Sequence, residues 1–180
     1  TFVQAGTIPL VQMQLTVHSG SASDPEGKSG LASLAAAMLK EGTSSHTALE
    51  LSEQLLDLSS MIGVSASLEY SSVRLGSLED KFGATLTLLS EMLSSSTFAV
   101  DDVERVRSQR RSSLLADKDK LSSIGYKAFR KLVYGDTYAG RDGRGTLESI
   151  DAVTRDDLVG WHARAWIPEN ASIVLVGRMG

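Results

Sequence analysis

Val11, Met13, Leu15 and Val17 alternate strictly with Gln12, Gln14, Thr16 and His18. A period of two sends neighbouring side chains to opposite faces, so residues 10–18 read as a strand with one face buried and one wet. The same period returns at Val64, Ala66, Leu68 and Tyr70, set against Ser65, Ser67 and Glu69. It resumes after Ser71 and Ser72 at Val73 and Leu75. Residues 64–78 are therefore expected to be two strands joined by a tight turn, or one bulged strand. Ser172 to Val176 predicts a last strand.

The segments between these strands have helical character. Leu31 to Leu39 is rich in alanine, with Gly42 as the expected C-terminal stop. A second helix is expected from Thr47 to about Met61, with Leu51, Leu55 and Leu58 on one face and Gly63 ending it. Asp80 to Leu93 and Val100 to about Leu115 predict two more; Asp101 and Asp102 suit the positive end of the latter's dipole. Lys120 to Tyr134 predicts another. A Gly-rich loop follows from Gly135 to Gly145, and Thr154 opens a helix that carries Trp161 and Trp166. The Pro168-Glu169-Asn170 stretch predicts a turn. Strands grouped together, with helices segregated between them, point to an α+β layer and not to a doubly wound sheet.

A chain of 180 residues suits one domain with a sizeable core. The net charge of −4 carries no basic excess, which speaks against nucleic acid or an anionic membrane as partner. No apolar run is long enough to span a bilayer. Thr1 to Leu10 lacks the basic and apolar regions of a secretory signal and reads as ordinary domain sequence. The chain is therefore expected to be a single domain, residues 1–180, cut from a longer polypeptide.

The chemistry-bearing residues are sparse. There is no cysteine, which removes disulfides, thiolate nucleophiles and cysteine metal sites. His18, His46 and His162 are the whole histidine complement, and no two lie within four residues of each other. A zinc site draws on two or three such ligands, often paired at helical spacing. Arg141 and Arg144 stand among Gly140, Gly143 and Gly145, but a helix precedes this loop where a phosphate cradle needs a strand. Arg105, Arg107, Arg110, Arg111, Lys118 and Lys120 form a basic run. Asp101, Asp102, Glu104, Asp117 and Asp119 interleave with it, so a solvated helix face is preferred. No Gly-x-Ser-x-Gly elbow activates a serine, and no pair of carboxylates stands out as an acid and base.

Gly30-Leu31-Ala32-Ser33-Leu34-Ala35-Ala36-Ala37-Met38-Leu39-Lys40-Glu41-Gly42-Thr43 resembles the signature helix of the pitrilysin, insulinase and mitochondrial-processing-peptidase family of zinc metallopeptidases. The loop from Gly20 to Lys28 is similar to that family's lead-in. The segments Tyr134 to Arg141, Gly145 to Ile150, Thr154 to Leu158 and Pro168 to Ala171 resemble its closing loop, helix and strand in the same order. In active members the signature helix carries H-x-x-E-H, two metal-binding histidines with a glutamate that activates water. By this resemblance the two His positions fall on Ser33 and Ala37, the Glu position on Ala36, and the third ligand on Ser112 or Ser113. Ser65-Ala66 half-keeps an Asn-Ala strand motif.

The resemblance implies a LuxS/metallopeptidase-like α+β domain, with helices packed on one face of a largely antiparallel sheet. It implies no catalytic residue and no metal ligand in this chain, with zinc in a partner subunit or another half. The implied role is the first domain of a non-catalytic half, forming chamber wall and partner contacts around an unfolded peptide. A purely structural subunit, as in respiratory-complex relatives, is the alternative; a third is an enzyme whose zinc half lies elsewhere in the same polypeptide. The substrate-gripping motif of such assemblies is not found, so substrate-binding residues stay unassigned. The compartment is not fixed either: family resemblance alone extends it to periplasmic or organellar settings.

Overall fold

The computed structural model describes residues 1–4 and 8–177. Strand β2 (Leu10–Val17) runs down the middle of the sheet. It pairs antiparallel with β4 (Ser71–Leu78) on one side and β5 (Ala171–Gly177) on the other. Outside these lie β3 (Met61–Ala66), antiparallel to β4, and β1 (Phe2–Gln4), parallel to β5. The order among the described residues is β1-β5-β2-β4-β3, which matches the expected α+β, largely antiparallel sheet. The short parallel β1 had no signal in the sequence, because three residues cannot display a period.

The alternation in β2 does what it predicted. Val11, Met13, Leu15 and Val17 are buried, while Gln12 and Gln14 face water beside Arg74 of β4. Helices α1 (Leu31–Met38), α2 (Ala48–Asp57), α3 (Phe82–Ser94), α4 (Val100–Ala116) and α7 (Arg155–Ala165) contribute the side chains that cover this apolar face. One core cluster joins Met13, Leu15, Val73 and Leu75 to Leu51, Leu88, Leu89 and Met92. The other joins Val17 to α1, Val106, Leu158 and Trp161. Two further helices are α5 (Leu121–Tyr134) and α6 (Leu147–Ala152).

The structure departs from expectation at several points. α2 ends at Asp57 and not near Met61, because Ser59 takes a left-handed conformation at φ 48°. The Ser60 hydroxyl then joins Ser77 and Thr85, both at 2.8 Å, and this hydroxyl cluster starts the strand. Met61 and Gly63 therefore belong to β3, and Gly63 stops nothing. Gly42 lies beyond the C-terminus of α1, where it bridges to Thr47. The hairpin turn falls at 67–70, closed by the Ser67 N–H donating to the Tyr70 carbonyl; Ser71 and Ser72 are already strand. The helix α6 lies just after the predicted loop, where Thr146 and Ser149 form a capping box. Among the described residues no helix is long and apolar enough to cross a membrane.

Candidate functional site

The centre of interest is α1, which is buried on almost every side: Leu31, Ala32, Leu34, Ala35, Ala36 and Met38 are all core. Alanines let neighbouring elements approach its backbone closely. Its N-terminus would leave unpaired N–H groups in the interior. Asp24, only 6% exposed, reaches in from the preceding loop and accepts from the Gly30 N–H at 2.8 Å and the Ala32 N–H at 2.9 Å. Burial pushes the Asp24 carboxyl up to about 6, against the pull of those N–H groups and of Arg141.

The Gly-rich loop is packed against this same N-terminus. Gly145 sits at φ 87°, and a Cβ there would lie 2.5 Å from the Ser29 carbonyl oxygen. The Ser29 hydroxyl donates to the Asp142 carbonyl at 2.7 Å, and the Ser149 hydroxyl donates to the Ser29 carbonyl at 2.7 Å. Beside them the Lys28 ammonium binds the Asp157 carboxylate at 2.6 Å. Burial pushes that carboxyl up, but Lys28 and the N–H and hydroxyl of Thr154 outweigh it and hold it at about 2. Two of the loop's N–H groups turn back into it, Arg144 on the Asp142 carboxylate and Gly145 on the Asp142 carbonyl. It is a clasp on α1, and a phosphate cradle is not built here.

Ser33 and Ala37 lie one turn apart on α1, both half-buried, with Ala36 fully buried between them. The α4 side chain that reaches them is Arg110. Its Nη1 donates to the Ser33 hydroxyl at 2.6 Å and to the Arg144 carbonyl at 3.3 Å. Desolvation, and after it the neighbouring Arg144, lower the Arg110 pKa against the opposing pull of Asp142. Ser112 and Ser113 are exposed, and the Ser112 hydroxyl is returned to the Ser108 carbonyl at 3.0 Å. These side chains do not fit a zinc ion. Alanine methyls offer no lone pair, and the Ser33 oxygen already accepts from a cation. Among the described residues no group of three or more His, Asp or Glu is placed to hold a metal.

The three histidines lie in unlike settings. His18 is exposed just after β2. His46 Nδ1 lies 2.8 Å from the Glu91 carboxylate, which also accepts from the Thr43 hydroxyl. That cluster ties the 43–46 loop to α3. His162 packs between Phe98 and Trp166, and burial holds its pKa below the usual value, against the pull of the Leu93 backbone.

The basic run on α4 is more than the solvated face that charge patterning suggests. Arg105 binds Glu41 and Asp102 at 2.6 and 2.7 Å, Arg107 donates to the Val153 carbonyl at 2.6 Å, and Arg111 pairs with Asp151. These side chains tie α4 to Glu41 in the segment after α1, to Asp151 of α6 and to Val153 in the α6–α7 connection.

Beyond Arg110 a cleft of about 580 Å³ opens between the end of α4, α5, residues 140–148 and the β3–β4 turn. Ser65 and Ala66 lie at the end of edge strand β3 nearest it, and Ala66 lines it. Sequence reading missed Asp24 and Arg110. The available signal for Asp24 was an Asp-Pro pair ahead of a glycine that opens an uncapped helix. Arg110 had no signal, because nothing in a run of four arginines shows which one turns inward.

Residues 3–141 match the family model for insulinase, peptidase family M16. A peptidase M16 inactive domain from Pseudomonas fluorescens superposes with a TM-score of 0.94 at 27% identity, over 99% of this chain and 44% of that one. The non-peptidase homolog YmxG of Helicobacter pylori is 25% identical over 170 residues, which is 94% of this chain and 39% of that protein. An uncharacterized zinc protease of Mycobacterium leprae is 25% identical over 164 residues, 91% of this chain and 37% of that protein. The chain belongs to the insulinase family of peptidases, M16. It spans about two fifths of the length of the curated relatives it matches.

Proposed function

We propose that the chain is a non-catalytic domain of an M16 peptidase assembly, supplying chamber wall and partner contacts while zinc sits in another half or subunit. In this reading Ser33, Ala36 and Ala37, with Ser112 or Ser113, stand where an active member carries its ligands and base. The likeness to a solved M16 inactive domain supports it.

The observation that carries the partner contacts is α5. Its apolar residues fall on one side at helical spacing, yet the helix buries none of them. Leu121 and Leu132 are 85% and 86% exposed, and Phe129 and Val133 are exposed as well. An amphipathic helix whose apolar stripe meets water is a surface awaiting a neighbour.

Two measurements test the reading. Titrated with zinc under calorimetry, the chain is expected to show no one-to-one site tighter than about 10 μM, because a competent structural or catalytic site binds far more tightly. A stoichiometric tight site sinks the proposal. Affinity capture from the source cell is expected to recover a partner, or a continuation of the same polypeptide, that bears an intact H-x-x-E-H. The double variant Leu121→Glu/Leu132→Glu is expected to lose that capture without unfolding, since both side chains already face water. Capture of a membrane complex without a peptidase would favour the structural-subunit alternative. Unchanged capture by the variant would rule out α5 as the contact.

A further inference from the structure

The cleft beside α5 runs against the charge of the rest of the molecule. The chain carries a net charge of −4. The cleft is lined by Lys118, Lys127, Arg130, Arg141 and Arg144, with Asp117, Asp142 and Glu148 as the acids. The acids are largely engaged. Asp117 is shared by Arg144 and Lys120, and Asp142 takes Lys127 at 3.0 Å. Arg130 is spent on the Ala139 carbonyl and lies over the Tyr126 ring. Lys118 and Arg141 are exposed, and their acidic neighbours, Glu148 for the first and Asp24 and Asp136 for the second, act on them only through space. Behind the wall stands Arg110, whose guanidinium bonds a hydroxyl and a carbonyl and has Arg144 beside it.

We propose that this cleft binds a carboxylate-rich segment of an extended peptide, with Lys118 and Arg141 as its free cationic contacts. Three features favour a peptide over a compact anion. The cations come from separate elements and are spread along the walls, whereas a lone phosphate needs donors converging on one point. Leu68, Leu114, Tyr126 and Leu147 share the lining and offer apolar contacts for neighbouring side chains. The cleft also opens at the end of β3, an edge strand beside which an extended chain can lie.

The proposal rests on the reading that this domain faces a peptide, and its test is independent of partner capture. Fluorescence anisotropy on the full chain would compare labelled peptides of equal length, one glutamate-rich, one lysine-rich and one neutral. The glutamate-rich peptide is expected to bind about tenfold more tightly than either, a ratio that a few part-exposed charge contacts supply. Lys118→Glu/Arg141→Glu is expected to remove that preference with an unchanged melting midpoint. Arg74→Glu, on the opposite face of the sheet, is expected to keep it. Equal binding of all three peptides overturns the proposal, as does a preference that survives the double variant. Displacement by inorganic phosphate well beyond that by chloride at matched ionic strength also overturns it, because the site would then be one for a compact anion. If a peptidase partner is captured through α5 and no acidic preference appears, this inference fails and the functional reading stands.

Discussion

Asp24→Ala is expected to lower the unfolding free energy by about 3 kcal/mol at pH 7, measured by urea denaturation. The substitution strips the acceptor from the buried N–H groups of Gly30 and Ala32 at once. Each such orphan costs roughly 1–3 kcal/mol, and no nearby side chain caps α1 in its place. The pH dependence has a definite sign. The folded carboxyl titrates at about 6, above its ordinary 3.8. Between those values the folded chain holds a proton that the unfolded chain has released, so rising pH removes stability through that window. A separation of roughly two pH units at about 1.4 kcal/mol each gives about 3 kcal/mol. The variant lacks this dependence. The gap between wild type and Asp24→Ala is therefore expected to widen as pH falls from about 6 toward 4. A constant gap would show that the carboxyl titrates alike in the folded and unfolded chain.

Gly30→Ala is expected to cost about 3 kcal/mol as well, through backbone geometry and not through hydrogen bonding. Gly30 sits at φ 97°, which costs an L residue roughly 1–2 kcal/mol. A Cβ there would also lie 2.7 Å from Ile150 Cδ1 and 2.8 Å from the Arg144 carbonyl oxygen. The second contact is with backbone, so relief requires the 142–146 clasp to move away from α1. Gly27→Ala separates the two contributions. Gly27 has φ 76°, but its Cβ would meet nothing within 4 Å. It is expected to cost only about 1 kcal/mol in the same denaturation series. Equal losses at the two positions would mean that the close approach of the clasp contributes nothing.

These two residues also mark how far the sequence could be read. β2 was legible because its alternation is enforced by burial of one face against water on the other. The start of α4 was legible from Asp101 and Asp102, and that of α7 from Thr154 as a cap; Trp166, expected on α7, lies just past its end at Ala165. α2 was overextended, because Ser60 is claimed by hydroxyls of β4 and α3, contacts that no local pattern announces. The short helix α6 was hidden behind the glycines that precede it.

At the candidate site the poverty of metal ligands was visible from composition: no cysteine and three scattered histidines. The resemblance to the family attaches that shortage to Ser33, Ala36 and Ala37 on α1 only as an expectation. What fills the space beside Ser33 was not visible. Arg110 is 77 residues away in the chain, and only the crossing of α4 over α1 brings its guanidinium to that hydroxyl. The cationic cleft has the same origin, since Lys118 and Arg141 belong to different segments and meet only once α5 and the Gly-rich loop fold back. The sequence by itself determined the layer type, the buried face of the sheet and the shortage of cysteine and histidine, because periodicity and residue chemistry are local properties. The tertiary structure decided which arginine turns inward, which carboxylate caps α1 and where positive charge collects. Those depend on distances between residues far apart in the chain, and a linear pattern does not contain them.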